Sequence, residues 1–295
     1  MITHPEKVLF PDDGITKGDL AKYYESIAPV MLPHIRNRPI TMERYHRGIG
    51  EPGFFQKDVS KGFPDWLRRV EVPKHGGTVN HPIVTDTRSL IWLANQNSIT
   101  PHVWTSRMPD LYHPDLCVFD LDPANENEVE RVCNAALGLR ELLQELGLPS
   151  WVKTSGSKGL HIAVPLDRKS DFGTVYRFAN RVGTVLVSRD PANLTQEFSK
   201  ADRGGRILVD TGRNGYSATF ACAYAVRAKP RAPVSAPCTW EEVEQVKIGP
   251  RSFTLRNMGD RIDTVGDLWS ELLKKRRSLK KSLHLLECGS PSPLC

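Results

Sequence analysis

Three aspartates are the residues of this sequence best suited to binding divalent cations. Asp120 and Asp122 form an Asp-Leu-Asp triplet directly after the apolar run 116–119. Alternate residues of a strand point to the same face, so both carboxylates would share one face. The two carboxylates repel each other unless a cation neutralises them. Carboxylate oxygens are ligands that Mg²⁺ and Mn²⁺ prefer. Asp210 ends a second apolar run, 207–209, and would complete a two-metal site for phosphoryl transfer if the two strands are neighbours.

A loop rich in glycine and serine predicts phosphate binding beside those aspartates. Residues 154–161 read Thr-Ser-Gly-Ser-Lys-Gly-Leu-His, and small residues allow backbone N–H groups to approach phosphate oxygens. Ser155, Ser157 and Lys158 would add donors and a positive charge, and His161 would project from the following strand. Alone, the loop could equally be a tight hairpin with a core histidine, and a lone Asp-x-Asp could be a turn. Together, the two motifs favour a triphosphate site.

Basic residues surround Asp210 in the sequence. Lys200, Arg203 and Arg206 precede it and Arg213 follows. Positive charge beside an acidic metal site is what a triphosphate requires, although each of these side chains could also belong to a solvated basic surface.

The elements that would position these residues mix helices and strands. Hydrophobic periodicity and capping residues predict helices at 16–30, 86–97, 126–146 and 172–188 and strands at 39–44, 116–119, 151–154, 159–164 and 206–210. A hairpin at the centre of the second half indicates an α+β fold, with mixed or antiparallel sheets flanked by helices and an RNA-recognition-like core.

The last quarter of the chain carries weaker signals. Prolines at 230, 233 and 237 predict an extended segment crossing the surface. A helix is expected near 264–277, followed by a disordered tail at 279–295 that is rich in polar residues, Gly and Pro. The initial Met and this irregular tail favour a stand-alone protein over a piece of a longer one.

Composition excludes some classes of protein. The 295 residues contain no apolar run of about 18 residues, as a membrane span would need. The N-terminus lacks the pattern of a signal peptide, so we expect a cytoplasmic protein. The six cysteines form no Cys-x-x-Cys pair and therefore predict no structural zinc site. The formal net charge of +6 is compatible with a polyanionic partner.

The order of these motifs resembles the polymerase domain of bacterial ligase D, in the archaeo-eukaryotic primase superfamily. The resemblance extends from Lys7 to about Arg276 and rests on Phe-Asp-Leu-Asp-Pro at 119–123, the 154–161 loop, and Val-Asp at 209–210 with Arg213-Asn214. It implies one primase-polymerase domain, 1–278, with a DNA-end-binding lobe at 1–110 and a catalytic lobe at 111–278. It also implies a template-directed nucleotidyltransferase that favours ribonucleotides and acts at gaps and double-strand breaks during non-homologous end joining.

The same resemblance assigns roles to individual residues. Asp120, Asp122 and Asp210 look like the ligands of two Mn²⁺ or Mg²⁺ ions and the catalytic carboxylates. Nucleotide contacts would come from Ser155, Ser157, Lys158, His161, His102, Lys200 and Arg227. DNA contacts would come from Lys7 and Lys17, as a pocket for a 5′-phosphate, and from Phe54 and Phe55, which would stack on DNA, although one of the two is also expected in the core.

The resemblance further implies DNA with 5′-phosphorylated gaps or broken ends, nucleoside triphosphates, a DNA ligase and a Ku-type end-binding protein as partners. The sequence departs from the family at His4, where an Asn is common, which could alter the 5′-phosphate pocket. It also contains no ligase or phosphoesterase domain. Two other functions remain open: a non-catalytic module that bridges DNA ends, and a metal-dependent nuclease.

Overall fold

The chain divides into two compact units, and it passes between them several times. The computed structural model describes residues 2–59, 62–125 and 127–288. The first unit comprises 1–109, 219–236 and 253–267, and the second comprises 110–218, 237–252 and 268–295. The chain first crosses from one unit to the other between Pro109 and Asp110, and the segments 219–236 and 253–267 return to the first unit. The division into a DNA-end-binding lobe, 1–110, and a catalytic lobe, 111–278, stays a prediction.

The first unit combines one four-stranded sheet with two small hairpins and helices. Its elements are β1 (Val8–Phe10), β2 (Ile15–Thr16), α1 (Lys17–Ser26), α2 (Ala28–Ile35), β3 (Ile40–Arg44), β4 (Phe54–Gln56), β5 (Arg69–Lys74), β6 (Gly77–Pro82), α3 (Thr87–Asn95), β7 (Ser98–Val103), β13 (Phe220–Ala221) and α7 (Met258–Val265). The sheet has the order β13-β7-β3-β4 and is antiparallel throughout. Strands β1 and β2 pair with each other, as do β5 and β6.

Helix α1 begins where the sequence predicted. Thr16 caps it by accepting a hydrogen bond from the Asp19 backbone, and the Asp19 carboxylate accepts from the Thr16 N–H in return. The predicted helix 16–30 is nevertheless two helices, since α1 ends at Ser26 and α2 begins at Ala28. The break coincides with Pro29 near the start of α2, where a proline is favoured because the first N–H groups of a helix have no internal partner.

The second unit is built on a six-stranded sheet. Its elements are β8 (Leu116–Asp122), α4 (Val129–Glu145), β9 (Trp151–Thr154), β10 (Leu160–Pro165), α5 (Phe172–Arg189), β11 (Leu194–Thr195), β12 (Ile207–Asp210), β14 (Pro237–Cys238), α6 (Trp240–Glu244) and α8 (Lys280–Glu287). The strand order is β11-β12-β8-β10-β9-β14, and only the β11–β12 pair is parallel. The predicted α+β class with mixed and antiparallel sheets is therefore confirmed.

Alternation along β8 separates a buried apolar face from an acidic one. Phe119 and Leu121 are fully buried, while helices α4 and α5 pack against this strand. Asp120 and Asp122 point to the opposite face, since successive strand residues alternate. The apolar face anchors the strand, so the two carboxylates are carried by a rigid element.

Several predictions near the C-terminus were wrong. The segment around the prolines is not a surface traverse, because Val226 pairs with Val234 and both are buried. In place of a helix at 264–277, α7 ends at Val265 and a short 3₁₀ turn occupies Leu272–Lys274.

The predicted disordered tail is helical at its start. In α8, Leu286 is buried, as is Leu279 just before it, and the Ser282 hydroxyl donates to the Leu146 carbonyl at 2.9 Å. These contacts hold the segment against the second unit. The remaining tail residues, 289–295, and Glu126, where the helix now called α4 was expected to begin, lie outside the described residues.

Candidate active site

Strand pairing in the second unit brings the predicted aspartates together. In the antiparallel β12–β8 pair, Asp210 lies directly opposite Asp120, and Leu208 lies opposite Asp122. His161 on β10 lies opposite Asp120 from the other side. Directly opposed residues in an antiparallel pair share a face. The register therefore places Asp210, Asp120 and His161 side by side on three adjacent strands, with Asp122 one step along β8.

Arginines neutralise all three carboxylates. Arg213 contacts Asp120 (Nε to Oδ2, 3.4 Å) and Asp210 (Nη2 to Oδ2, 3.2 Å). Arg203 contacts Asp122 (Nη1 to Oδ2, 3.1 Å). The Arg213 side chain is 40 % exposed and lies at the surface of the unit. The sequence marked Arg203 only as a member of a basic run, whereas Arg213 also belonged to the motif that carries the family resemblance.

A buried asparagine fixes the loop that carries Arg213. The Asn214 side chain accepts a hydrogen bond from the Val118 N–H at 2.8 Å and donates to the Val118 carbonyl at 2.7 Å. It also donates to the Thr211 carbonyl at 2.9 Å. The loop after β12 is thereby attached to β8, which holds Arg213 over both Asp120 and Asp210.

The ionisation of the aspartates reflects this crowding. Burial raises the pKa of Asp210, and the neighbouring charges of Asp120 and Asp122 raise it further, against the opposing effect of Arg213. Burial alone would also raise the pKa of Asp120. There, however, the hydrogen bond and charge of His161, together with Arg213 and Lys153, outweigh burial and hold the pKa well below its usual range. A carboxylate whose pKa is raised by neighbouring carboxylates is in an environment that favours a bound cation.

The donor set fits divalent metal ions, although the carboxylates are paired with arginines here. Within residues 2–59, 62–125 and 127–288, no three His, Cys, Asp or Glu side chains are gathered closely enough to hold an ion as they stand. Three carboxylates on one sheet face nonetheless supply the hard oxygen ligands that Mg²⁺ and Mn²⁺ prefer. The guanidinium groups occupy positions where cationic charge is required, and a metal ion could replace that charge.

The predicted phosphate loop closes the β9–β10 hairpin beside β8. Ser155 is buried, and its hydroxyl oxygen accepts from the backbone N–H groups of Ser157 (3.1 Å) and Gly159 (3.0 Å). Lys158 is half-exposed and donates to the Ala124 carbonyl at 3.2 Å, just beyond the end of β8. Ser155 therefore shapes the loop from within, while Lys158 lies at its surface. Lys200, also predicted to bind nucleotide, is exposed.

Gly159 is required by the close approach of this loop to β8. A Cβ atom at this position would lie 1.7 Å from the carbonyl oxygen of Leu121, which is backbone and cannot rotate away. Only glycine lets the loop end this near the two aspartates of β8.

The other predicted nucleotide contacts belong to the first unit. His102 lies on β7 and its Nε2 contacts the Glu43 carboxylate of β3 at 3.2 Å. The Tyr45 hydroxyl donates to the same carboxylate at 2.9 Å, and the positive charge of Arg227 also acts on it. Glu43 was missed by the sequence analysis. The alternating pattern of strand 39–44 was a usable signal, because it leaves one acidic residue in an otherwise buried strand.

Lys7 and Lys17 lie next to each other in the first unit, and their role at a DNA end stays a prediction. Val8 pairs with Thr16 across β1 and β2, and the Lys17 N–H donates to the Lys7 carbonyl at 2.7 Å. The Lys17 ammonium is buried and contacts Thr3 Oγ1 (3.4 Å) and the Asn95 carbonyl (3.5 Å). Burial lowers the pKa of Lys17, and so does the charge of Lys7. An anion bound beside the two ammonium groups would reduce the repulsion between them.

The aromatic pair of β4 is exposed on an edge strand. Phe54 is 40 % exposed and Phe55 is 65 % exposed, so the expectation that one of them is core was wrong. Phe54 packs against the His46 ring at 5.1 Å, and Phe55 meets the His102 ring edge-on at 5.4 Å. Both rings are therefore partly accessible to solvent.

Comparison with known proteins decides the family. The model of the LigD primase-polymerase domain matches residues 16–269. The chain belongs to this family. This family is one of metal-dependent, DNA-directed nucleotidyltransferases.

Similar proteins and structures agree with that assignment. The multifunctional non-homologous end joining protein LigD of Mycolicibacterium smegmatis is 35 % identical over 92 % of this chain and 36 % of its own length. The LigD protein of Pseudomonas aeruginosa is 31 % identical over 96 % of this chain and 34 % of its own length. This LigD-type chain thus spans about a third of these curated relatives.

A solved structure with the same fold is the polymerase domain of Mycobacterium tuberculosis ligase D in complex with DNA. It has a TM-score of 0.88 and 34 % identity, and the match covers 94 % of this chain and 99 % of that one. The predicted primase-polymerase type of core is therefore confirmed. In the part of the LigD-type chain that the structure describes, no helix is long and apolar enough to cross a membrane.

Proposed function

We propose that this LigD-type domain adds nucleotides to DNA 3′ ends at gaps and double-strand breaks, copying a template. The observation that carries the proposal is the register of β8, β10 and β12, which lines up Asp120, Asp210 and His161. When bound by Asp120, Asp122 and Asp210, two divalent ions would lower the pKa of the primer 3′-hydroxyl and neutralise triphosphate charge. Family membership supports the reaction class, and the preference for ribonucleotides and Mn²⁺ is part of the proposal.

The chain's own residues supply the remaining tasks. Ser155 holds the 155–159 loop in shape through its two accepted hydrogen bonds, so that Ser157 and Lys158 can meet phosphate oxygens. His161 presents its Nε2 edge at the same sheet face. Arg213 contacts both Asp120 and Asp210 and reduces the repulsion between the two carboxylates until the metal ions and the substrate bind. In the first unit, His102, Arg227 and the exposed Phe54 and Phe55 are proposed nucleotide and DNA contacts.

Recognition of the downstream DNA end is assigned to Lys7 and Lys17. A terminal phosphate carries up to one more negative charge than an internal phosphodiester, so two convergent ammonium groups should prefer it. The lowered pKa of Lys17, caused by its burial and by Lys7, supports an anion site here. A DNA ligase and a Ku-type end-binding protein are the partners we propose at the same ends; the relatives' printed name supports the end-joining context alone.

One assay separates this function from its rivals. A gapped duplex with a 5′-phosphate and a labelled primer is incubated with ribonucleoside or deoxynucleoside triphosphates and with Mn²⁺ or Mg²⁺. We expect the primer to lengthen opposite the template, with ribonucleotides at least as efficient as deoxynucleotides. Shortening of the primer would indicate a nuclease. An unchanged primer despite DNA binding would indicate a bridging module.

A further inference from the structure

A buried lysine extends the row of Asp210, Asp120 and His161 by one more strand of the sheet. Lys153 on β9 lies directly opposite His161 on β10, which lies opposite Asp120 on β8. The Lys153 side chain is fully buried, and its Nζ is 2.8 Å from Nδ1 of His161. Nε2 of the same ring is 3.3 Å from Oδ1 of Asp120. The imidazole therefore bridges the lysine and the carboxylate through its two opposite nitrogens.

The chemistry of the groups fixes where the ring proton resides. An ammonium group has only N–H donors, so Nδ1 must accept its hydrogen bond and must be bare. A neutral imidazole with a bare Nδ1 carries its proton on Nε2. Nε2 then donates to Asp120, whose Oδ1 lies 3.3 Å away. The same edge is the donor that the proposed function offers to a triphosphate.

We propose that Lys153 is a positioning residue, which holds the His161 ring as an Nε2–H donor facing Asp120. The expected effect on nucleotide addition rests on the proposed function, whereas the orientation of the His161 ring does not. Burying an ammonium group is costly unless it is paired, so a merely space-filling role would be served better by an apolar side chain. When a residue that orients a metal-binding imidazole is replaced, metal affinity or activity commonly falls by about 10- to 100-fold.

The tautomer can be measured in the wild-type protein without any activity assay. Long-range ¹H–¹⁵N correlation spectra of the histidine rings, assigned with His161→Gln, report which nitrogen of His161 carries a proton. We expect a bare Nδ1 and a protonated Nε2. A proton on Nδ1 would overturn the inference, because Lys153 would then be an acceptor.

The kinetic consequence is tested with Lys153→Met, which keeps the length of the side chain but cannot donate, and Lys153→Arg, which retains N–H donors. For Lys153→Met we expect kcat for nucleotide addition, per folded molecule, to fall about 10- to 100-fold while the Kd for primer–template DNA stays within about twofold. Partial recovery is expected with Lys153→Arg. Wild-type kcat in the folded Met variant would overturn the positioning role.

These readouts separate failure of the inference from failure of the proposed function. If the wild-type protein extends no primer, the proposed function fails, and the ring spectrum still decides the tautomer. If Lys153→Met does not fold, as judged by circular dichroism, the wild-type spectrum decides the inference alone.

Discussion

Glu43 of β3 offers a test in which the magnitude can be worked out from the structure. Its carboxylate is 15 % exposed and contacts His102 and the Tyr45 hydroxyl. Burial alone would raise its pKa. The hydrogen bond and charge of His102, with smaller contributions from Tyr45 and Arg227, lower the pKa instead from the usual 4.5 to about 2. That difference corresponds to roughly 3 kcal/mol of preference for the ionised form in the folded protein.

The pH window follows from the sign of this change. Because the pKa of Glu43 is lower in the folded state, its stabilisation is fully present above pH 4.5 and is lost as pH falls toward 2. The contribution should drop from about 3 kcal/mol at pH 7 to about half of that at pH 3.

Glu43→Gln should therefore lower the free energy of unfolding by more at pH 7 than at pH 3. Urea denaturation of the wild-type protein and the variant at both pH values measures the difference. Glu71→Gln, which changes an exposed carboxylate, is the matched control and should cost little at either pH. An equal loss for Glu43→Gln at both pH values would refute the account of this ion pair.

Two further predictions concern the loop beside the aspartates and the DNA-end pocket. Gly159→Ala should destabilise the protein by about 3 kcal/mol or more, since its Cβ would lie 1.7 Å from a carbonyl oxygen of β8. Gly259→Ala, with open space around its Cβ, should not, and urea denaturation of both variants checks this. Replacing Lys7 and Lys17 with Ala should abolish the preference for a 5′-phosphorylated gap in binding titrations, whereas Lys22→Ala should retain it. A wild-type preference in the double variant would place end recognition elsewhere.

Local sequence signals predicted the catalytic sheet well because its strands are short apolar runs bounded by polar residues. The strand 151–154 and the cap at Thr16 are as predicted, and the pairing of Asp120 with Asp210 follows from strand adjacency that the sequence could only presume. Long-range pairing is set by tertiary packing, which periodicity does not report. For the same reason, the sequence did not predict the contacts of Arg203 and Arg213 with the carboxylates.

The errors fall where local composition and tertiary burial disagree. The segment around Pro233 has the composition of a surface loop, yet Val234 is buried in a β-bridge. The Gly, Ser and Pro residues of the tail predicted disorder from residue 279, but Leu279 and Leu286 near its start are buried. The position of Lys153 could have been predicted from the register of the hairpin, because closure by the 155–159 loop places residue 153 opposite residue 161.

The central claim is that the carboxylates on β8 and β12 carry out nucleotide transfer. Single-nucleotide addition to a gapped duplex is measured for Asp120→Asn and for Asp202→Asn, an exposed aspartate in the same unit. We expect Asp120→Asn to lose activity by at least about a hundredfold while its DNA affinity is retained, and Asp202→Asn to behave as wild type. Extension by Asp120→Asn at the wild-type rate would contradict the account.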